Sequence, residues 1–108
     1  MQTIIQVVCS KSRSLRDLIQ DDPELENFSL EVVSERKSGR SPGWTKVRSI
    51  ASGVRGSFNI EWNASTRILT CRIINRGQAK PNRAVGDFIE YILARHRPRT
   101  KVITVLPG

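Results

Sequence analysis

Apolar residues recur along this chain with two periods, and the change of period marks out its elements. Thr3 to Cys9 is dense in Ile and Val and predicts a buried strand. Ser14 opens a short helix predicted over 14–21. Its hydroxyl is placed to cap the backbone at Asp17, three residues on, and Leu15, Leu18 and Ile19 form an apolar stripe before Pro23 ends it. Residues 28–35 alternate through Phe28, Leu30 and Val32 and predict a second strand. Two Gly, one Pro and two Ser within residues 36–44 predict a loop. Alternation returns over 45–51, with Val47 set against Lys46 and Arg48. Gly53 and Gly56 bracket a turn. Over 57–62, Phe58, Ile60 and Trp62 face one way and Ser57, Asn59 and Glu61 the other. Asn63-Ala64-Ser65 is a turn into a strand over 66–74, with Leu69, Cys71 and Ile73 on one face and Arg67 and Arg72 near the other. These two strands predict a hairpin.

The longest periodic run is helical. Val85, Phe88, Ile89, Ile92 and Leu93 fall at i, i+3, i+4, i+7 and i+8, which predicts a helix over 82–97 with Arg83, Asp87, Glu90 and Arg97 on its wet face. Pro81 suits its first turn and Pro98 lies past its end. Residues 101–106 close as a strand. The order is β-α-β-β-β-β-α-β, an α+β class: one domain over 1–108, with a mobile basic loop at 36–44. Its five- to six-stranded, mostly antiparallel sheet is packed by two helices. The sheet face away from the helices then carries Lys46, Arg48, Arg67 and Arg72.

Composition supports a packed core. Val, Ile, Leu and Phe number 30 of 108 residues, above the roughly 20% below which chains tend to be disordered. No segment approaches the ~18 apolar residues of a membrane-spanning helix, so no membrane partner is expected. The N-terminal stretch lacks the basic and long apolar regions of a secretory signal. Cys9 and Cys71 stand alone and predict two buried thiols in a reducing, cytoplasmic setting.

Charge changes the picture most. Eighteen Lys and Arg face ten Asp and Glu, a net charge of +8, with thirteen Arg to five Lys. The balance is uneven: residues 1–35 carry −4 and residues 36–108 carry +12. Arginine's planar fork suits phosphate, and clustered cations favour polyanions by releasing their counterions. From residue 36 to 60, Arg36, Lys37, Arg40, Lys46, Arg48 and Arg55 occur without an acid, and Trp44 sits among them. Cations that follow phosphates beside an indole that stacks on a base make a plausible single-strand grip. Arg76, Lys80 and Arg83 precede or open the long helix, whose first backbone N–H groups attract phosphate. Arg95, His96, Arg97, Arg99 and Lys101 close it. His96 is read as a solvent-facing residue kept neutral by its Arg neighbours.

Catalytic patterns are absent or incomplete. Arg55–Trp62 partly follows the first motif strand of RNA-recognition domains, but Ser57 and Asn59 stand where stacking aromatics belong. Glu35-Arg36-Lys37 has the form E-x-K of some metal nucleases, without an acid suitably placed beside it. No cofactor, metal, catalytic residue or small-molecule ligand is expected. The reading is a non-catalytic nucleic-acid-binding domain, with RNA or single-stranded DNA favoured. The alternative is a protein–protein module or homodimer, in which the acidic segment 17–35 meets a basic surface or the strand edges at 45–51 or 101–106 pair.

Overall fold

Every alternating segment joins one sheet. The computed structural model describes residues 2–34, 44–50, 58–74 and 82–107. Strands β1 (Gln2–Cys9), β2 (Leu30–Ser34), β3 (Trp44–Ser49), β4 (Phe58–Asn63), β5 (Ile68–Ile74) and β6 (Thr100–Leu106) line up in the order β2-β3-β4-β5-β1-β6. All five pairings are antiparallel. Helices α1 (Leu15–Gln20) and α2 (Asn82–Arg95) occur in the predicted order. Each connects two strands that run the same way but are not neighbours: β1 and β2 flank β3, β4 and β5, and β5 and β6 flank β1. The predicted edge at 45–51 is therefore an inner strand, held by β2 and β4, whereas 101–106 does lie on an edge.

Side-chain alternation settles the two faces. Ile5, Val7 and Cys9, Leu30, Val47, Phe58, Ile60, Leu69, Cys71 and Ile73 point to one side and are buried there with Leu15, Ile19, Ala84, Phe88, Tyr91 and Ile92 of the helices. Ser14 caps α1 as its spacing predicts, accepting from the Asp17 N–H at 3.2 Å. Pro23 is followed by a 3₁₀ turn, Leu25–Phe28, that ends in left-handed Ser29 and leads into β2. The long helix stops at Arg95, and a second 3₁₀ turn, Arg97–Arg99, carries Pro98 into β6.

The buried stripe of α2 is rotated from the predicted one. Ala84, Asp87, Phe88, Tyr91 and Ile92 are buried, whereas Val85, Ile89 and Leu93 are half-buried. Small Ala84 lets the helix approach the sheet, and Tyr91 enters the core because its hydroxyl finds a carboxylate. Asp87, read as solvent-facing, is 8% exposed. It accepts from Ser49 Oγ of β3 at 3.2 Å and pairs with Arg83 at 3.5 Å. Both cysteines are buried and unlinked. No described helix is long and apolar enough to cross a membrane.

Candidate nucleic-acid interface

The sheet face opposite the helices carries three of the predicted cations. Register places Lys46, Asn59 and Arg72 in one row across β3, β4 and β5, and Arg48 follows on β3. Acids accompany them. Glu31 sits directly across from Arg48 and is ion-paired with it. Glu61, diagonal to Arg72, lies 3.5 Å from its Nε. These pairs are partly exposed, so each contributes only about 0.2–1 kcal/mol. They nonetheless cancel much of the positive field on this face. Toward β6 the face turns apolar, with Ile4, Val8, Ile68, Val102 and Leu106 around Gln6, Thr70 and Thr104.

Arg67 is not on that face. The strand predicted from 66 starts at Ile68, and Arg67 closes the turn before it with a left-handed backbone, φ 58°. Asn63 builds the turn: its Oδ1 accepts from the N–H groups of Ser65 and Thr66 at 3.0 and 3.2 Å. A left-handed residue other than Gly costs on the order of 1–2 kcal/mol, and Arg67 is held there from three sides. Its N–H donates to Asn63 O at 2.8 Å, its carbonyl accepts from Cys9 N–H at 2.9 Å, and its guanidinium donates to Ser10 O at 3.0 Å.

That last bond joins Arg67 to a second loop, and a third segment completes the group. Arg99, in the turn after α2, is 6% exposed. One guanidinium nitrogen donates to the carbonyls of Lys11, at 3.2 Å, and of Arg13. The guanidinium lies 5.4 Å from the centre of the Trp62 ring. The Arg99 carbonyl accepts from Ser10 N–H at 2.8 Å. Segments 10–14, 63–67 and 96–101 thus meet at one end of the sheet. They contain Lys11, Arg13, Arg67, Arg97, Arg99 and Lys101, and no Asp or Glu. Lys11, Arg13, Arg67, Arg97 and Lys101 are exposed, as are Ser10, Ser12, Ser65 and Thr66. The loop carrying Lys11 and Arg13 is fixed through its backbone, which leaves their side chains on the outside. The cations after α2 stand out in the sequence, but Lys11 and Arg13 do not, because they belong to the N-terminal third, whose net charge is −4. Only the pairing of β1 with β5 and β6 brings them to Arg67 and Arg99.

A polar cluster beside this end ties α1 to α2. Asp22, whose side chain is 5% exposed, receives two bonds from Arg95, both at 3.1 Å, and one from the Tyr91 hydroxyl at 2.7 Å. The same hydroxyl lies 2.9 Å from His96 Nε2. Burial works to raise the Asp22 pKa, but the bonds from Arg95, the Glu24 N–H and Tyr91 outweigh it and hold the carboxyl below its ordinary range. Burial, and then the Asp22 carboxylate, push the Tyr91 phenol well above its usual value. His96 is half-buried rather than solvent-facing. Burial lowers its pKa, against the pull of Asp22 and with the help of Arg99 and Arg95. The imidazole is thus kept neutral, though desolvation rather than its Arg neighbours is the main cause. The cluster neutralises the buried Asp22 within the fold.

The remaining predicted contacts divide simply. Arg83 is on the first turn of α2, where Asp87 pairs with it. Trp44 is the first residue of β3, opposite Glu61, rather than the end of a loop. Arg36, Lys37, Arg40, Arg55, Arg76 and Lys80 lie outside the described residues, as does most of the 36–44 loop. Among the described residues no three His, Cys, Asp or Glu side chains gather where they could hold a metal ion. No family model, no curated protein and no solved structure matches this chain.

Proposed function

We propose that this protein is a non-catalytic nucleic-acid-binding domain that grips a phosphodiester backbone, with RNA or single-stranded DNA favoured over duplex. The observation that carries this reading is the meeting, at one end of the sheet, of three segments that hold six cations and no acid of their own. Phosphate contact needs cationic side chains and N–H or O–H donors at fixed positions. Lys11 and Arg13 stand on a loop whose carbonyls are already bonded to Arg99, so little ordering remains to be done on binding. Ser10, Ser12, Ser65 and Thr66 add exposed hydroxyls. The outer side of α2 offers no base-reading face, because Arg83 is paired with Asp87 and Glu90 stands beside them. Backbone contact at a rim therefore fits better than a helix laid in a major groove. The basic residues of 36–44 extend the same chemistry along the chain.

The test is fluorescence anisotropy with labelled single-stranded RNA, single-stranded DNA and duplex DNA at two salt concentrations. Affinity for the single strands should fall with salt at a log–log slope near −0.7 per phosphate neutralised. Lys11→Ala with Arg13→Ala should shorten that slope by about 1.4, two contacts' worth. Absence of binding to all three at low salt would sink the reading. An unchanged slope in the double variant would move the contact surface elsewhere.

A further inference from the structure

Among the described residues β6 lies at the edge of the sheet, and the devices that usually keep an edge from pairing are confined to its start, where Lys101 supplies a charge and the register with β1 shifts. Residues 102–106, Val-Ile-Thr-Val-Leu, hold no charge and no proline; Lys101 precedes them and Pro107 follows. Val102, Val105 and Leu106 are 52%, 40% and 46% exposed. The opposite edge, β2, has only five residues, and its charge, Glu31, and its register shift, between Val32 and Ser34, fall inside the strand.

Hydrogen-bond alternation shows which backbone groups of β6 point off the sheet. Cys9 N–H donates toward β5, to Arg67 O at 2.9 Å, and Ser10 N–H toward β6, to Arg99 O at 2.8 Å. Along β1, in register with both neighbours, odd residues therefore bond to β5. Even residues bond to β6, through Val102, Thr104 and Leu106. The N–H and C=O groups of Ile103 and Val105 are directed outward.

We propose that β6 pairs antiparallel with β6 of a second copy of this chain, about a two-fold axis through Thr104. In that register Ile103 of each copy faces Val105 of the other, and their four outward backbone groups per copy close four hydrogen bonds. Val102 faces Leu106 on the open side, and Thr104 meets its own image. A one-residue slip loses this match. Centring on Ile103 sets Val102 against Thr104 and Val105 against Lys101. Centring on Val105 sets Ile103 against Pro107, which has no N–H to donate. No charged side chain opposes its like in the Thr104 register. A two-fold edge is self-complementary by symmetry, and the joined sheet keeps all four helices on one side. This dimer stands independently of the nucleic-acid reading.

Sedimentation equilibrium of the full chain across the micromolar range tests it, since the monomer is 12.2 kDa and the dimer twice that. Val102→Lys with Leu106→Lys, at exposed positions, places like charges across the axis; circular dichroism should show the fold intact while the dimer is lost. Thr104→Cys supplies the register. Opposed residues in a non-hydrogen-bonded pair have Cα atoms about 4.5 Å apart, within disulfide reach. Mild oxidation should therefore cross-link Thr104→Cys to itself. Val102→Cys should cross-link only when mixed with Leu106→Cys. A chain at monomer mass throughout, a dimer that survives the paired lysines, or a dimer that Thr104→Cys fails to cross-link would each overturn the proposal.

Discussion

Replacing Arg99 with Met removes a guanidinium and keeps most of its apolar stem, so the loss reads the polar contacts. A hydrogen bond from a charged donor contributes about 1.5–3 kcal/mol. Arg99 makes two, to the carbonyls of Lys11 and Arg13. Both acceptors lie on an exposed loop and regain water when the guanidinium leaves, so the lower end applies, about 3 kcal/mol for the pair. The stack over Trp62 adds about 0.5–1 kcal/mol. Against this, Arg99 Nε is buried without a hydrogen-bond partner, and removing it relieves about 1–2 kcal/mol. The balance is a loss of about 2 kcal/mol, or a melting temperature lower by roughly 10 °C for a domain of this size. Urea unfolding followed by circular dichroism measures it, with Arg97→Met as the exposed comparison, expected to change stability by less than about 0.5 kcal/mol. If Arg99→Met also changed stability by less than that, the guanidinium would not be pinning the loop. The same variant should weaken oligonucleotide binding beyond the loss of one charge, because Lys11 and Arg13 would no longer be held.

Four further outcomes follow from the polar cluster and the core. Tyr91→Phe should cost about 1–2 kcal/mol at neutral pH. Because the folded phenol's pKa is raised, wild-type stability should be full below about pH 10 and decline as pH rises toward the folded value. Thermal melts should show that alkaline decline reduced in Tyr91→Phe. The Asp22 carboxyl is held low, so its contribution is present above about pH 3.9 and lost as pH falls. Asp22→Asn should be less stable at neutral pH and show a shallower acid decline, while the His96 imidazole, followed by NMR, should titrate below about 6.5. Cys9 and Cys71 are buried and should resist a thiol reagent until urea unfolds the chain; rapid labelling of the native protein would contradict that burial.

The elements were legible because each obeys a local rule: period two in the strands, period 3.6 in α2, a hydroxyl cap at Ser14. Pairing that depends on distant segments was not. Nothing in β3's own alternation tells that β2 would cover its outer side. Asp87 follows the polar positions of α2 in sequence, yet Ser49, from another hairpin, gives it a buried partner. Asp22 and Tyr91 lie far apart in the chain and look like a loop acid and a helix aromatic; their bond rotates the buried stripe of α2. The candidate interface shows the same limit. Lys11 and Arg13 belong to the acidic third of the sequence, and only the sheet order sets them beside Arg67 and Arg99.

That sheet order bears on how the chain reaches its fold. β2, β3, β4 and β5 form a meander whose contacts are local, and hairpins of this kind form within microseconds. β1 can pair only after β5 exists, with Gln2 opposite Ile74, and again with β6, where Ile4 meets Leu106. Of the six strands β1 is made before the others, and both its sides are satisfied only once β5 and β6 have followed. Such sequence separation raises contact order, which slows folding toward the millisecond-to-second range of sheet-rich domains. A charge placed on β1 should therefore act mainly on the unfolding rate, while one placed in the β4–β5 hairpin should act on the folding rate.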